Sequence, residues 1–108
     1  MKIQINTDSN VQGHEAFALQ INDIVEHALQ RFQSHITRLE IHLSDENGDK
    51  SGKRDKRCVI EARLEGDAPI VAIDSAATSE QATRQASEKL VRMIDGLLGR
   101  AVTLERLP

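Results

Sequence analysis

The chain has 108 residues, one cysteine, two Phe, no Trp or Tyr, and a formal net charge of −3. That length suits one domain, able to bury roughly two-thirds of its unfolded surface. The single cysteine excludes a disulfide framework and a thiolate-rich zinc site. The near absence of aromatic rings excludes nucleic-acid binding by base stacking.

Residues 2–6 alternate, with Ile3 and Ile5 on one face, and read as a half-buried strand. Thr7–Gly13 is a polar loop. From His14 to Ser34 the apolar residues Phe17, Ile21, Ile24, Val25, Ala28, Leu29 and Phe32 recur three and four apart, one stripe of an amphipathic helix. Alternation returns at Leu39, Ile41 and Leu43, with Arg38, Glu40, His42 and Ser44 on the opposite face. A second alternating run sets Cys58, Ile60, Ala62 and Leu64 inward against Val59, Glu61, Arg63 and Glu65. The segment between them, Ser44–Lys56, contains Asn47-Gly48 and Ser51-Gly52, so the two runs read as a long β-hairpin.

Gly66-Asp67 turns the chain into a short strand, Ile70–Asp74, behind Pro69. Thr78 or Ser79 is placed to cap a final helix over about residues 79–98. Its apolar side is read as Ala82, Ala86, Leu90, Met93, Ile94 and Leu97. Gly99 is expected to end that helix, leaving a single domain over 1–100 and a loosely held tail over 101–108. The order β-α-β-β-β-α, with strands apolar on one face, specifies an α+β two-layer sandwich. Its four-stranded mixed sheet carries both helices on one face. No apolar run approaches the ~18 residues of a membrane span, and Met1-Lys2 leads into a strand rather than a signal segment. A soluble, cytoplasmic protein is expected.

Catalytic and metal signatures are weak. His14, His27, His35 and His42 lack the i, i+4 spacing of a helical ligand pair. Nothing matches a His-Glu-x-x-His motif, a nucleophile elbow or a glycine-rich phosphate loop. Asp45, Asn47 and Asp49 match the start of a calcium loop, but Lys50 and Lys56 stand where its turn glycine and final glutamate belong. Cys58 alternates with core residues and reads as a buried, inert thiol. No enzyme activity, cofactor, metal or small-molecule substrate is expected.

Charge is unevenly spread. Residues 50–57 hold five basic side chains (Lys50, Lys53, Arg54, Lys56, Arg57) and one acid, Asp55. The remainder carries nine basic and sixteen acidic residues, so a hairpin of net +4 sits on a body of net −7. Such a hairpin suits phosphate tracking by electrostatics alone. It equally suits a merely soluble loop that discourages edge pairing. In the last helix Arg84, Lys89, Arg92 and Arg100 face Glu80, Glu88 and Asp95. The first helix sets Glu15, Asp23 and Glu26 against Arg31 alone.

The element order and several segments together resemble the ribosome hibernation-promoting factor / ribosome-associated inhibitor A family. Its members are also labelled sigma-factor modulation or ribosomal subunit interface proteins. The resemblance spans about residues 2–98. It includes the Lys-Ile-Gln-Ile-Asn opening strand, the helix ending Leu29-Gln30-Arg31-Phe32, and Ile36–Leu43 leading into the hairpin. Lys89-Leu90-Val91-Arg92 matches the family's Lys-Leu-x-Arg element, with Glu88 as the preceding acid and Ala82 as its alanine. Glu80 replaces the family's Tyr, Met93-Ile94-Asp95-Gly96 replaces its Gln-Leu-x-Lys continuation, and the terminal lysines are missing.

The resemblance implies a domain that lodges in the small ribosomal subunit, contacts rRNA through basic residues on its helices, and blocks translation during storage. On it, Lys89 and Arg92 are the matched phosphate contacts and Arg31 a weaker one. Arg84 falls where the family often has Asp, but its charge suits the same role. Lys53, Arg54, Lys56 and Arg57 would add contacts from the hairpin. The expected function is a ribosome-associated stress or hibernation factor that binds small-subunit rRNA phosphates. The alternative is a protein-interaction module of the same fold, dimerising through a strand edge, that has lost rRNA binding.

Overall fold

Alternating apolar and polar residues in four segments, and three- and four-residue spacing in two others, build a single sheet covered on one side. The computed structural model describes residues 1–8, 15–46 and 55–106, with side chains through Gly99. The elements are β1 (Lys2–Thr7), α1 (Glu15–Leu29), a 3₁₀ turn (Gln30–Phe32), β2 (Ile36–Asp45), β3 (Lys56–Leu64), β4 (Ile70–Ala76) and α2 (Ser79–Arg106). Spatial strand order follows sequence order. β1 pairs parallel to β2, which requires the α1 crossover, while β2–β3 and β3–β4 are antiparallel. This is the expected mixed sheet with two helices, in the expected order.

Leu39, Ile41, Leu43, Cys58, Ile60, Ala62, Leu64 and Ala72 point from the sheet to the helices and are buried. They meet Ile21, Val25, Leu29 and Phe32 from the α1 segment and Ala82, Ala86, Leu90 and Ile94 from α2. On the outer face Arg38 lies opposite Arg63, and Glu40 opposite Glu61. Like charges placed directly across a ladder repel. Same-strand pairs offset this: Arg38–Glu40 at 2.8 Å and Arg63–Glu61 at 4.0 Å.

Thr78 caps α2, its hydroxyl accepting the Gln81 N–H at 3.1 Å. The Leu64–Asp67 turn closes with Asp67 N donating to Leu64 O at 3.2 Å. Gly66 sits at φ +81°, the left-handed position that a type II turn reserves for glycine.

Two details differ from the sequence reading. Met93 is exposed, while Thr83 and Ser87 are fully buried in its stead. Positions 82, 83, 86, 87, 90 and 94 form the inner stripe, and Met93 flanks it. The Thr83 hydroxyl donates to Ser79 O at 2.7 Å, so its burial leaves no unmet donor. The second difference is that α2 runs through Gly96 and Gly99 to Arg106, so the expected stop at Gly99 falls inside the helix. Neither glycine has positive φ, and a Cβ at either would meet nothing within 4 Å. A glycine stops a helix by adopting the left-handed conformation, and these do not.

Gly99→Ala is therefore expected to stabilise the protein by about 0.5–1 kcal/mol. A helix ending at Gly99 would instead lose stability, and urea unfolding midpoints distinguish the two.

Candidate nucleic-acid interface

The solvent side of α2 carries Arg84, Glu88 and Arg92 at successive i, i+4 positions, all exposed. Among the described residues neither Arg84 nor Arg92 has an ion-pair partner. Arg84 lines an open groove of about 670 Å³ between the α1 segment and α2, together with Asp23, Glu26, His27, Gln30 and Gln33. Two carboxylates thus share that groove with one guanidinium, whereas Arg92 lies two turns further along α2.

The other expected contact residues that the structure describes are already engaged. Arg31 hydrogen-bonds and ion-pairs with Asp95, and its guanidinium carbon lies 4.5 Å from the Phe32 ring centroid. Lys89 donates to the backbone carbonyl of Ile73 at 2.8 Å and lies 3.8 Å from Asp74. Arg57 is 3.7 Å from Glu46. Lys56 lies between two buried carboxylates, 2.8 Å from Asp45 and 3.3 Å from Asp55. Its pKa is raised, chiefly by the hydrogen bond to Asp45 and against the opposing effect of desolvation. Glu46 N donates to Asp55 O at 2.8 Å, and Asp45 N to Asp8 Oδ2 at 3.3 Å. The hairpin thus springs from a hydrogen-bonded base in which Lys56 bridges two buried carboxylates. Lys53 and Arg54 lie outside the described residues.

The family described as Sigma 54 modulation protein / S30EA ribosomal protein matches residues 6–101. The chain belongs to this family. Its fold is similar to that of a ribosomal subunit interface protein from Coxiella burnetii, with TM-score 0.73 and 17% identity over 92% of this chain and 99% of that one. It is also similar to the N-terminal domain of Thermus thermophilus Protein Y, with TM-score 0.69 and 18% identity over 90% and 99% of the two chains. No curated protein matches this member of the family.

Among the described residues of this Sigma 54 modulation protein / S30EA member, no group of His, Cys, Asp or Glu is arranged to hold a metal ion, and no helix is long and apolar enough to cross a membrane. His42 is exposed on the outer sheet face, 3.7 Å from Glu40. His14, Asn47 and Asp49 lie outside the described residues. Cys58 is fully buried. Burial pushes its thiol up to about 11 from 9.0, with the Asp74 carboxylate adding to the shift and the Thr83 hydroxyl opposing it.

A neutral thiol held in the folded state carries a pH consequence. The unfolded thiol ionises first, so stability is intact below pH 9 and falls as pH climbs toward 11. Between pH 9 and 10.5 the loss from Cys58 is expected to be about 1.5 kcal/mol. Lys56, with its raised pKa, adds its own loss only above 10.5. Urea unfolding at pH 8, 9.5 and 10.5 checks this: Cys58→Ala should flatten the decline, and an unchanged slope would show that the thiol is not its source.

Proposed function

We propose that this protein is a non-enzymatic, cytoplasmic ribosome-associated factor that binds small-subunit rRNA by charge and shape during stress or stationary phase. Family membership over residues 6–101 supports the ribosome as partner. The names of the two similar structures, a ribosomal subunit interface protein and Protein Y, point the same way. The observation that carries the reading is the pair of exposed arginines, Arg84 and Arg92, on the outer side of the helical layer, neither of which has an ion-pair partner among the described residues. Each offers a planar five-donor fork suited to a phosphate.

The remaining basic residues rank by what it costs to release them. Arg31–Asp95 and Arg57–Glu46 are pairs between exposed side chains, and such pairs contribute little to stability. Both arginines can turn to a phosphate with small loss, and Lys53 and Arg54 of the hairpin would join them. Lys89 would first have to leave a carbonyl and a carboxylate. Lys56 stays in place, because releasing it takes its ammonium from two buried carboxylates at once.

The test is sedimentation of the purified protein with isolated small subunits at two salt concentrations, with and without nuclease. Binding that weakens with salt and disappears with the RNA is expected. No binding at the lower salt would sink the reading.

A further inference from the structure

We propose that the free edge of β4 is a pairing surface for a second copy of this chain, held shut in the monomer by Asp74 and Lys89. Residues 70, 72, 74 and 76 of β4 stand opposite Ala62, Ile60, Cys58 and Lys56 of β3. In an antiparallel ladder only alternate opposed pairs exchange hydrogen bonds. Leu43 O and Asp45 N turn to the β1 side, so β2 bonds β3 at Arg57, Val59 and Glu61, β3 bonds β4 at residues 70, 72, 74 and 76, and the backbone groups of residues 71, 73 and 75 point to the open edge. Two of these groups are occupied by side chains. Ile73 O accepts from the Lys89 ammonium at 2.8 Å, and Ser75 N donates to Asp74 Oδ1 at 2.8 Å. The two guards are themselves close, with Lys89 Nζ 3.8 Å from Asp74 Oδ2.

What they guard is apolar. Val71 and Ile73 are 43% and 42% exposed on the outer face of this edge strand, and Met93, one helical turn beyond Lys89, is 39% exposed. The opposite edge strand, β1, shows Lys2, Gln4 and Asn6 on that same face. An edge strand with exposed β-branched residues is a template for pairing, and charged side chains are the usual means of blocking it.

The occupant is a second copy because the edge complements itself. A two-fold axis at Ile73 sets that residue against its own equivalent and Val71 against Ser75 of the other copy, the isologous arrangement that closes a dimer. Each edge carries one acid and one base, so Lys89 of either copy can exchange its own Asp74 for the other's. Strands pair about 4.8 Å apart and helices pack about 8–10 Å apart. Since α2 covers β4 and β3, continuing the sheet would seat the two α2 helices side by side, with Met93 between them.

The test is sedimentation velocity of the wild type, Lys89→Met and Asp74→Ala over a concentration series, with circular dichroism melts confirming folded protein. Methionine keeps the reach of Lys89 but not its charge or donors, and Asp74→Ala opens the edge by a second route. The wild type is expected to be a monomer. Either variant should dimerise at least about tenfold more tightly, and adding Ile73→Lys should restore the monomer. In the dimer, hydrogen exchange at the amides of Val71, Ile73 and Ser75 should slow. The proposal is overturned if both variants remain monomeric, if their dimers survive Ile73→Lys, or if the wild type already dimerises.

Discussion

Reversing Arg84 and Arg92 together (Arg84→Glu, Arg92→Glu) is expected to reduce ribosome affinity by at least about 100-fold, because two charge-assisted phosphate contacts are replaced by repulsion. Neutralising them instead, as Arg84→Ala with Arg92→Ala, should flatten the plot of log affinity against log salt by about 0.7–0.9 per lost contact. The paired residues provide the contrast. Arg57→Ala should move binding less, since Arg57 first leaves Glu46. The acids of the groove act in the opposite direction: Asp23→Asn with Glu26→Gln removes the two carboxylates beside Arg84 and should tighten binding. Titration of labelled small subunits at several salt concentrations reads all four variants. Equal affinity for the reversed pair and the wild type would eliminate this face of α2 as the contact surface.

The period of the apolar residues made the fold legible, and the same criterion hid the parts it got wrong. Ile3, Ile5, Leu39, Ile41, Leu43, Ile60 and Leu64 alternate because one sheet face is covered, and that requirement acts on every strand. Thr83 and Ser87 were invisible to it because they are polar, although each occupies an inner position of α2. Gly99 misled because glycine identity carries no information about φ. The site was legible only as a list of basic residues. Whether a given arginine is free depends on partners far along the chain, such as Asp95, 64 residues from Arg31. The role of Lys89 depends on which carbonyls β4 turns outward, and that is a property of strand register. Lys56 illustrates the same limit: within a basic run it reads as one hairpin phosphate contact among four, yet its position next to buried Asp45 and Asp55 makes it part of the hairpin's base.

Leu90→Ala is expected to produce the largest loss of stability. The buried stripe of α2 consists of Ala82, Thr83, Ala86, Ser87, Leu90 and Ile94, so among the described residues Leu90 and Ile94 are its two fully buried large aliphatic side chains, with Val91, Leu97 and Leu98 partly buried beside them. The sheet residues Ala62, Ala72 and Ala76 are also small and have no side chain to extend into a void. Truncating a fully buried leucine at such a site costs about 3–5 kcal/mol, transfer and cavity terms together. For a domain of this size that lowers the melting temperature by about 10–30 °C. Leu90→Met, which keeps the volume, should cost less than about 1.5 kcal/mol. Because α2 carries Arg84 and Arg92 on its other side, this variant also separates packing from contact. Below its melting transition Leu90→Ala should bind small subunits like the wild type, and above it binding should vanish with the helix signal. If affinity is lost while the circular dichroism spectrum stays native, the position of α2 rather than its presence sets the interface, and the arginines act only at the register that Leu90 maintains.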